Sequence, residues 1–291
     1  DALSYRINKH LEKLDEQMGL LVMRVSGSYH ENYFFPDMAG VGLSYNHYLW
    51  NSSMNPRAGM LRHVIGLGTR AVNRIEGDYA RIIALDNPLL KPYSGMDEAR
   101  KFSQKNIDVL NIACNRLESV DATVYFKNNR EIIKSSVAIR DTETEERMRE
   151  RGMDEHEAWL INFDGFINNT PFVKDMQMVM TILEEIYENP VDIEYTVNFT
   201  VEGNYRINLL QCRPQQIRWR KDTITVPENL DASRIFFRST GHFLGGSILT
   251  DVRWIVYVHP AGYSSLGLTD KYGIARCIGR INRQIQNRSE A

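Results

Sequence analysis

Late in the chain, two β-rich runs, Val191–Val197 and Tyr205–Pro214, flank a polar turn that contains Gly203. Such a pair reads as an antiparallel hairpin, and a hairpin this long limits the fold to one built around a sheet. Side chains alternate along a strand, so Asp192 and Glu194 face one side of the first run. Gln211 and Arg213 face one side of the second by the same rule. If the two ends pair, two carboxylates, an amide and a guanidinium meet on one patch. Hard oxygen donors suit magnesium, and a planar cation suits phosphoryl oxygens, so the patch has the equipment of a magnesium-phosphate site. The plainer reading is an exposed hairpin face with cross-strand ion pairing, which is common in sheets.

The rest of the chain supplies strands and helices around this hairpin. Ile7, Leu11, Leu14 and Met18 recur with a helical period, and Leu20–Val25 reads as a buried strand. Gly40–Tyr45 reads as the next strand, with glycines where a backbone or ligand could approach closely. Leu61–Ile65 is a short apolar strand before the turn Gly66-Leu67-Gly68-Thr69. Helical spacing resumes at Arg70, and Arg81–Leu85 reads as another strand. A helix is expected from Asp97 towards Leu117, then strands at Thr123–Phe126 and Ile132–Ile139. The charged stretch Asp141–Glu157 reads as a solvated helix or linker. Thr170-Pro171 signals a helix start, and Phe172, Met176, Val179, Met180, Leu183 and Ile186 continue with helical period until Pro190. Towards the end, Trp254–Val258 reads as a buried strand. Tyr272–Ile285 reads as a helix carrying Ile274, Ile278, Ile281 and Ile285, with a solvated basic face of arginines.

Charge and composition narrow the classes of function. With 35 Lys+Arg against 37 Asp+Glu, the net charge of −2 gives no bulk attraction for nucleic acid, and no basic arm is present. No apolar run reaches membrane-spanning length. Cys114, Cys212 and Cys277 are widely spaced without a zinc pattern, as expected of reduced thiols in a soluble cytoplasmic protein. Gly66-Leu67-Gly68 lacks the following Lys-Ser/Thr of a Walker A loop and the third glycine of a dinucleotide fingerprint, although a glycine turn before a helix can cradle an anion. The chain opens on Asp1 with a helix already under way, which reads as a piece of something longer.

At the hairpin the sequence resembles the ATP-binding domain of phosphoenolpyruvate synthase and pyruvate phosphate dikinase, an ATP-grasp fold. The resemblance rests on Asp192-Ile-Glu-Tyr195 and Leu210-Gln-Cys-Arg-Pro214. It extends upstream to Met18-Gly-Leu-Leu-Val-Met-Arg-Val25, Ala39-Gly-Val-Gly-Leu-Ser44 and Gly66-Leu-Gly-Thr-Arg-Ala-Val72, all in family order. It implies an α+β nucleotide-binding lobe, an antiparallel sheet with helices, over residues 1–218. The first part of that module would be missing and 86–157 would be an insertion, with a partial C-terminal α/β segment at 219–291.

The implied chemistry is that of an ATP-dependent phosphotransferase with ATP and Mg2+ as cofactors. Glu194 and Gln211 would hold magnesium and the ATP phosphates, Arg213 would stabilise the transferring phosphoryl group, and Asp192 would support the site. Backbone groups at Arg24, Val25 and Ser26 would meet adenine, and Gly66 and Gly68 belong to the family's glycine segment. The phosphoryl group would pass to a histidine on another domain of the parent chain and then to pyruvate, giving phosphoenolpyruvate, AMP and phosphate. Two alternatives follow: a related dikinase with another acceptor, and a nucleotide-sensing module that has lost transfer. The chain departs from the family in having a longer hairpin between Glu194 and Gln211. It also shows neither the upstream Arg-Ser-Ser segment nor the Gly-Gly-x-x-x-His phosphocarrier motif.

Overall fold

The computed structural model describes residues 22–127 except 52 and 74, 135–152, 157–215 except 201, 230–237, 243–244 and 251–289. Before residue 22 it describes 6, 7, 10, 11, 13–15, 19 and 20. These residues fall into two compact units, one within Asp1–Lys221 and Glu228–Gly246, the other within Asp222–Pro227 and Ser247–Ala291. The first unit runs β1 (Ser28–His30), β2 (Tyr33–Phe35), β3 (Met38–Leu43), β4 (Tyr48–Leu49), β5 (Met60–Val64), α1 (Thr69–Val72), β6 (Arg81–Ala84), α2 (Gly95–Lys101), β7 (Asn106–Asn111) and β8 (Arg116–Asp121). It continues with α3 (Ala122–Lys127), β9 (Ala138–Arg140), α4 (Thr142–Glu150), β10 (Trp159–Ile161), α5 (Asp164–Asn169), α6 (Phe172–Tyr187), β11 (Val191–Phe199), β12 (Tyr205–Pro214) and β13 (Phe243–Leu244). The second unit holds α7 (Pro260–Ser264) and α8 (Leu268–Ser289).

The main sheet has the order β12-β11-β3-β5-β6, with every neighbour antiparallel. A second antiparallel sheet has the order β1-β2-β7-β8, and β9–β10 and β4–β13 form two smaller pairs. One face of the main sheet is buried beneath α6. That helix begins where Thr170 accepts from the Phe172 N–H at 3.3 Å and donates to the Phe166 carbonyl at 2.7 Å. It ends at Tyr187, where Glu188 turns left-handed ahead of Pro190. Phe172, Val173, Met176 and Met180 form its buried stripe. Met176 and Met180 fill the core, whereas Met178 points outward.

The glycines of β3 are consumed by this packing. A Cβ on Gly40 would stand 2.5 Å from the Tyr195 hydroxyl, and one on Gly42 would collide with Met180 and Ile193. Gly40 and Gly42 therefore admit core side chains on the helix side of the sheet, not a ligand. Under the same helix lies His63, fully buried. Its Nδ1 is 2.8 Å from the Tyr195 hydroxyl, its Nε2 is 3.2 Å from Met38 Sδ, and the Phe163 and Phe172 rings pack around it. Burial strips water from an imidazolium and Arg81 adds like charge, so the pKa falls from 6.5 to about 3 and the ring is neutral at pH 7.

Several expected elements differ, each for a local reason. The expected buried strand at Leu20–Val25 is not a strand in its described part: Leu20 is 90% and Val22 92% exposed, and among the described residues no neighbouring strand supplies a ladder. Of the first helix only residues 6 and 7 are described as helical, and much of the remainder lies outside the described residues. The helix at Arg70 is the four-residue α1. The helix expected from Asp97 to Leu117 stops at Lys101, and β7 and β8 follow, because Ile107 and Val109 are buried with a period of two. Thr123–Phe126 is helical, not extended: Asp121 caps it by accepting from Thr123 N at 2.8 Å and Val124 N at 3.3 Å.

Of Ile132–Ile139, residues up to 134 lie outside those described, and β9 begins at Ala138. Within the charged stretch, Thr142–Glu150 forms α4, capped by Asp141, which also accepts from Arg100 at 2.7 and 2.9 Å; residues 153–156 lie outside those described. Trp254–Val258 is neither a strand nor buried, with Trp254 63% and Tyr257 72% exposed. The second unit is thus helical in its described elements, where an α/β segment was expected. No helix among the described residues is long and apolar enough to cross a membrane.

His63 makes stability depend on pH. Its folded pKa lies below the unfolded value, so the unfolded chain takes up the proton first as pH falls. The contribution is full above pH 6.5 and is lost progressively towards pH 3. Urea unfolding at pH 5 should show about 2 kcal/mol less stability from this residue than at pH 7.5. His63→Gln should flatten that dependence, and an unchanged slope would contradict the assignment.

Candidate functional site

The hairpin of β11 and β12 closes through Thr200 N to Asn204 O at 2.7 Å and Gly203 N to Thr200 O at 3.1 Å, with Gly203 at φ 85°. Its register pairs Asp192 with Arg213 and Glu194 with Gln211, as the alternation required. Beyond Glu194 the register shifts, so that Tyr195 faces Leu209 and Thr196 faces Asn208. This bulge has a sequence cause. Asn208 and Gln211 are an odd number of residues apart and could not share a face in a regular strand. The extra residue keeps Arg206, Asn208, Gln211 and Arg213 on one side, opposite Asn198, Thr196, Glu194 and Asp192.

That side is the face not covered by α6. On β3, Ala39, Val41 and Leu43 stand beside Thr196, Glu194 and Asp192. Arg62 of β5 is beside Val41, and Ile82 of β6 is beside Arg62. Val41, Leu43, Arg62 and Ile82 are half-buried, whereas their neighbours on the helix side are fully enclosed. The result is an apolar floor with polar groups along its hairpin edge.

Arg213 donates from Nε at 2.9 Å and from Nη2 at 2.7 Å, both to Oδ2 of Asp192. Asp192 is 17% exposed and Arg213 60%, so the carboxylate orients a guanidinium whose remaining N–H groups face solvent. Glu194 and Gln211 sit one pair along, with no hydrogen bond or ion pair to any other side chain among the described residues. Their oxygens are available to a ligand. Among the described residues, no group of three or more His, Cys, Asp or Glu is placed to hold a metal.

Ser26 reaches the same face. Its Oγ accepts from Thr196 Oγ1 and Asn198 Nδ2 at 2.9 Å, and from Asn208 Nδ2 at 3.0 Å. Arg24 and Val25 precede it as exposed, irregular backbone. The two glycines of the next segment separate. A Cβ on Gly66 would lie 2.7 Å from the Asp108 carbonyl, so contact with β7 explains that glycine. Gly68, at φ 87°, lies over Ala39 and borders the open face next to Thr196.

A buried polar cluster holds this turn. Thr69 Oγ1 donates to Asp108 Oδ2 at 2.5 Å, and Arg70 meets Asp78 at 2.5 Å and Asp108 at 3.0 Å. Asp78 also accepts from the backbone N–H groups of Lys105 and Asn106. Sequence reasoning missed Arg62, Arg70, Asp78 and Asp108. Arg70 enters the sequence reading only as part of the glycine segment, Asp78 and Asp108 stand alone in sequence, and Arg62 was hidden inside a run read as wholly apolar.

The family model of the pyruvate phosphate dikinase AMP/ATP-binding domain matches residues 1–233. The chain belongs to that family. The match runs through β1 to β12 and so contains the whole open face. Within this AMP/ATP-binding domain of the pyruvate phosphate dikinase and phosphoenolpyruvate synthase type, the mixed α+β architecture with antiparallel sheets agrees with an ATP-grasp-like lobe. Comparison with curated proteins gives no match.

The two faces of β11 should respond differently to substitution. Asp192→Asn breaks an ion pair whose guanidinium is largely exposed, and should change stability by no more than about 1 kcal/mol. Ile193→Ala, one residue away on the buried face, should cost about 2–5 kcal/mol. Urea unfolding of both variants checks the assignment, and equal losses would contradict it.

Proposed function

We propose that this face binds Mg-ATP and starts the reaction of a phosphoenolpyruvate synthase-type phosphotransferase. In that reaction ATP, pyruvate and water become phosphoenolpyruvate, AMP and phosphate, with the phosphoryl group carried by a histidine on another domain of the parent enzyme. The observation that carries the reading is the pairing of Glu194 with Gln211 directly beside the Asp192–Arg213 pair on the open sheet face. A solvated hairpin explains one such ion pair. Beside it, the Glu194 carboxylate and the Gln211 amide have no side-chain partner among the described residues and lie open to a ligand on the same face.

The donor set fits magnesium. That ion is usually held by one or two carboxylates together with phosphate oxygens and water, so a dense acidic cluster is not required. Glu194 and Gln211 would hold it, and when bound it would neutralise phosphate charge. Arg213, fixed by Asp192, then meets the charge that grows on the transferring group, and its prior orientation lowers the reorganisation needed in the transition state. Val41 and Leu43 give the nucleotide an apolar floor and exclude water beneath it. We extend the proposal to residues 1–218 as the nucleotide-binding region of a cytoplasmic enzyme, with 219–291 as a separate segment.

The test uses the parent enzyme. Arg213→Ala should reduce AMP formation from ATP by about a thousandfold or more, the loss expected for a cation acting on a transferring phosphoryl group. Glu194→Gln should weaken Mg-ATP binding at least about tenfold, read by calorimetry. Unchanged turnover in Arg213→Ala would overturn the proposal.

A further inference from the structure

The hairpin edge by itself is a poor host for a polyphosphate. Asp192 offsets the charge of Arg213, and Glu194 adds a further negative charge beside them. A magnesium-bound triphosphate is still anionic, so a cradle without net positive charge repels it. The balancing cation has to come from elsewhere on the open face.

Sheet register supplies one. Gln211, Glu194, Val41, Arg62 and Ile82 form a single row across β12, β11, β3, β5 and β6. Leu61 and His63, on either side of Arg62, are fully buried on the helix side, so alternation places the half-buried Arg62 on the open face. Among the described residues, the arginines of the main-sheet strands on that face are Arg62, Arg206 and Arg213. Arg206 is opposite Asn198, four residues beyond Glu194 along β11, on the order of 13 Å at about 3.3 Å per residue. Arg81 of β6 is opposite His63 and buried on the other side. Arg62 alone of these shares the row of Glu194.

Two strands separate Arg62 from Glu194, on the order of 10 Å between backbones at about 4.8 Å per strand. That gap suits an ion with a phosphate. A carboxylate oxygen, magnesium and a phosphate oxygen in line take up about 4 Å, and the long arginine stem crosses the remainder over the half-buried Val41. A guanidinium has several N–H donors, so a phosphate needs only part of it.

We propose that Arg62 is a second substrate-binding cation of this site, holding a different phosphate of ATP from the one that Arg213 meets. This deepens the ATP reading above and rests on it. Arg213 approaches the polyphosphate from the hairpin edge and Arg62 from the sheet floor, with Glu194 between them. The contact is a charge-assisted hydrogen bond, so affinity follows the charge at position 62. An arginine that merely covers the floor would be replaced equally well by any side chain that packs there.

Calorimetric titration of the full 291-residue chain with Mg-ATP tests this through a series graded in charge. Arg62→Met, which keeps an apolar stem over Val41, should bind at least about tenfold more weakly than the wild type. Arg62→Glu should lose at least about a further threefold by repulsion. If Arg62→Glu does not fold, Arg62→Lys gives the comparison from the other side and should bind more tightly than Arg62→Met. Wild-type affinity in Arg62→Met, or affinity that does not follow charge across the series, overturns the role of Arg62 and leaves the ATP reading standing. Failure of the wild type to bind Mg-ATP overturns both.

Discussion

The structure depends on the two-sided nature of β11. This strand is hydrogen-bonded on both edges, to β12 and to β3, so its backbone has no freedom of register. Val191, Ile193, Tyr195 and Val197 point into the core under α6 and are essentially inaccessible to water. That apolar contact fixes the phase of the strand. Asp192, Glu194, Thr196 and Asn198 must then face the other way, and a slip of one residue would bury two carboxylates and expose Tyr195. Core packing and the candidate site are therefore two consequences of one alternation.

The neighbouring segments are adapted to that strand. Gly40 and Gly42 clear space for Tyr195 and Met180, and His63 gives the buried Tyr195 hydroxyl a partner. The bulge after Glu194 corrects the phase of β12 so that polar groups on both strands stay on the open face. Further along, Arg70, Asp78 and Asp108 satisfy one another beneath the glycine turn, which ties the second sheet to the border of the site. A buried arginine with two carboxylates is tolerable because backbone N–H groups complete the hydrogen bonding of Asp78. The segment 86–157, expected to be an insertion, thus supplies a support of the turn through Asp108.

What could be read from the sequence was whatever is local. The Asp192/Glu194 and Gln211/Arg213 spacings specify one face each, and the pairing follows from the hairpin; the stripe of α6 and the strands at β3, β5 and β6 are equally explicit. The misread regions are those where a nearby side chain or a distant partner decides the outcome. Asp121 converts Thr123–Phe126 into a helix by capping it, a signal present in the sequence but outweighed by β-branched and aromatic residues. Ile107 and Val109 alternate, yet a helical period could be drawn through Phe102, Val109 and Leu117. Leu20–Val25 and Trp254–Val258 have strand-like composition, but composition cannot supply the adjacent strand that a ladder needs. Arg62 and Ser26 join the open face only through sheet register and a loop path, neither of which a spacing rule sees.

The central claim is that Glu194, Gln211 and Arg213 form the phosphate end of a nucleotide site on the open face. A crystal structure of this chain with Mg2+ and a non-hydrolysable ATP analogue tests it most directly. The account predicts phosphate and metal density against Glu194 and Gln211, within hydrogen-bond reach of Arg213, and the base lying towards Ser26. Nucleotide bound elsewhere on the molecule, with Glu194 and Gln211 facing bulk water, would contradict it.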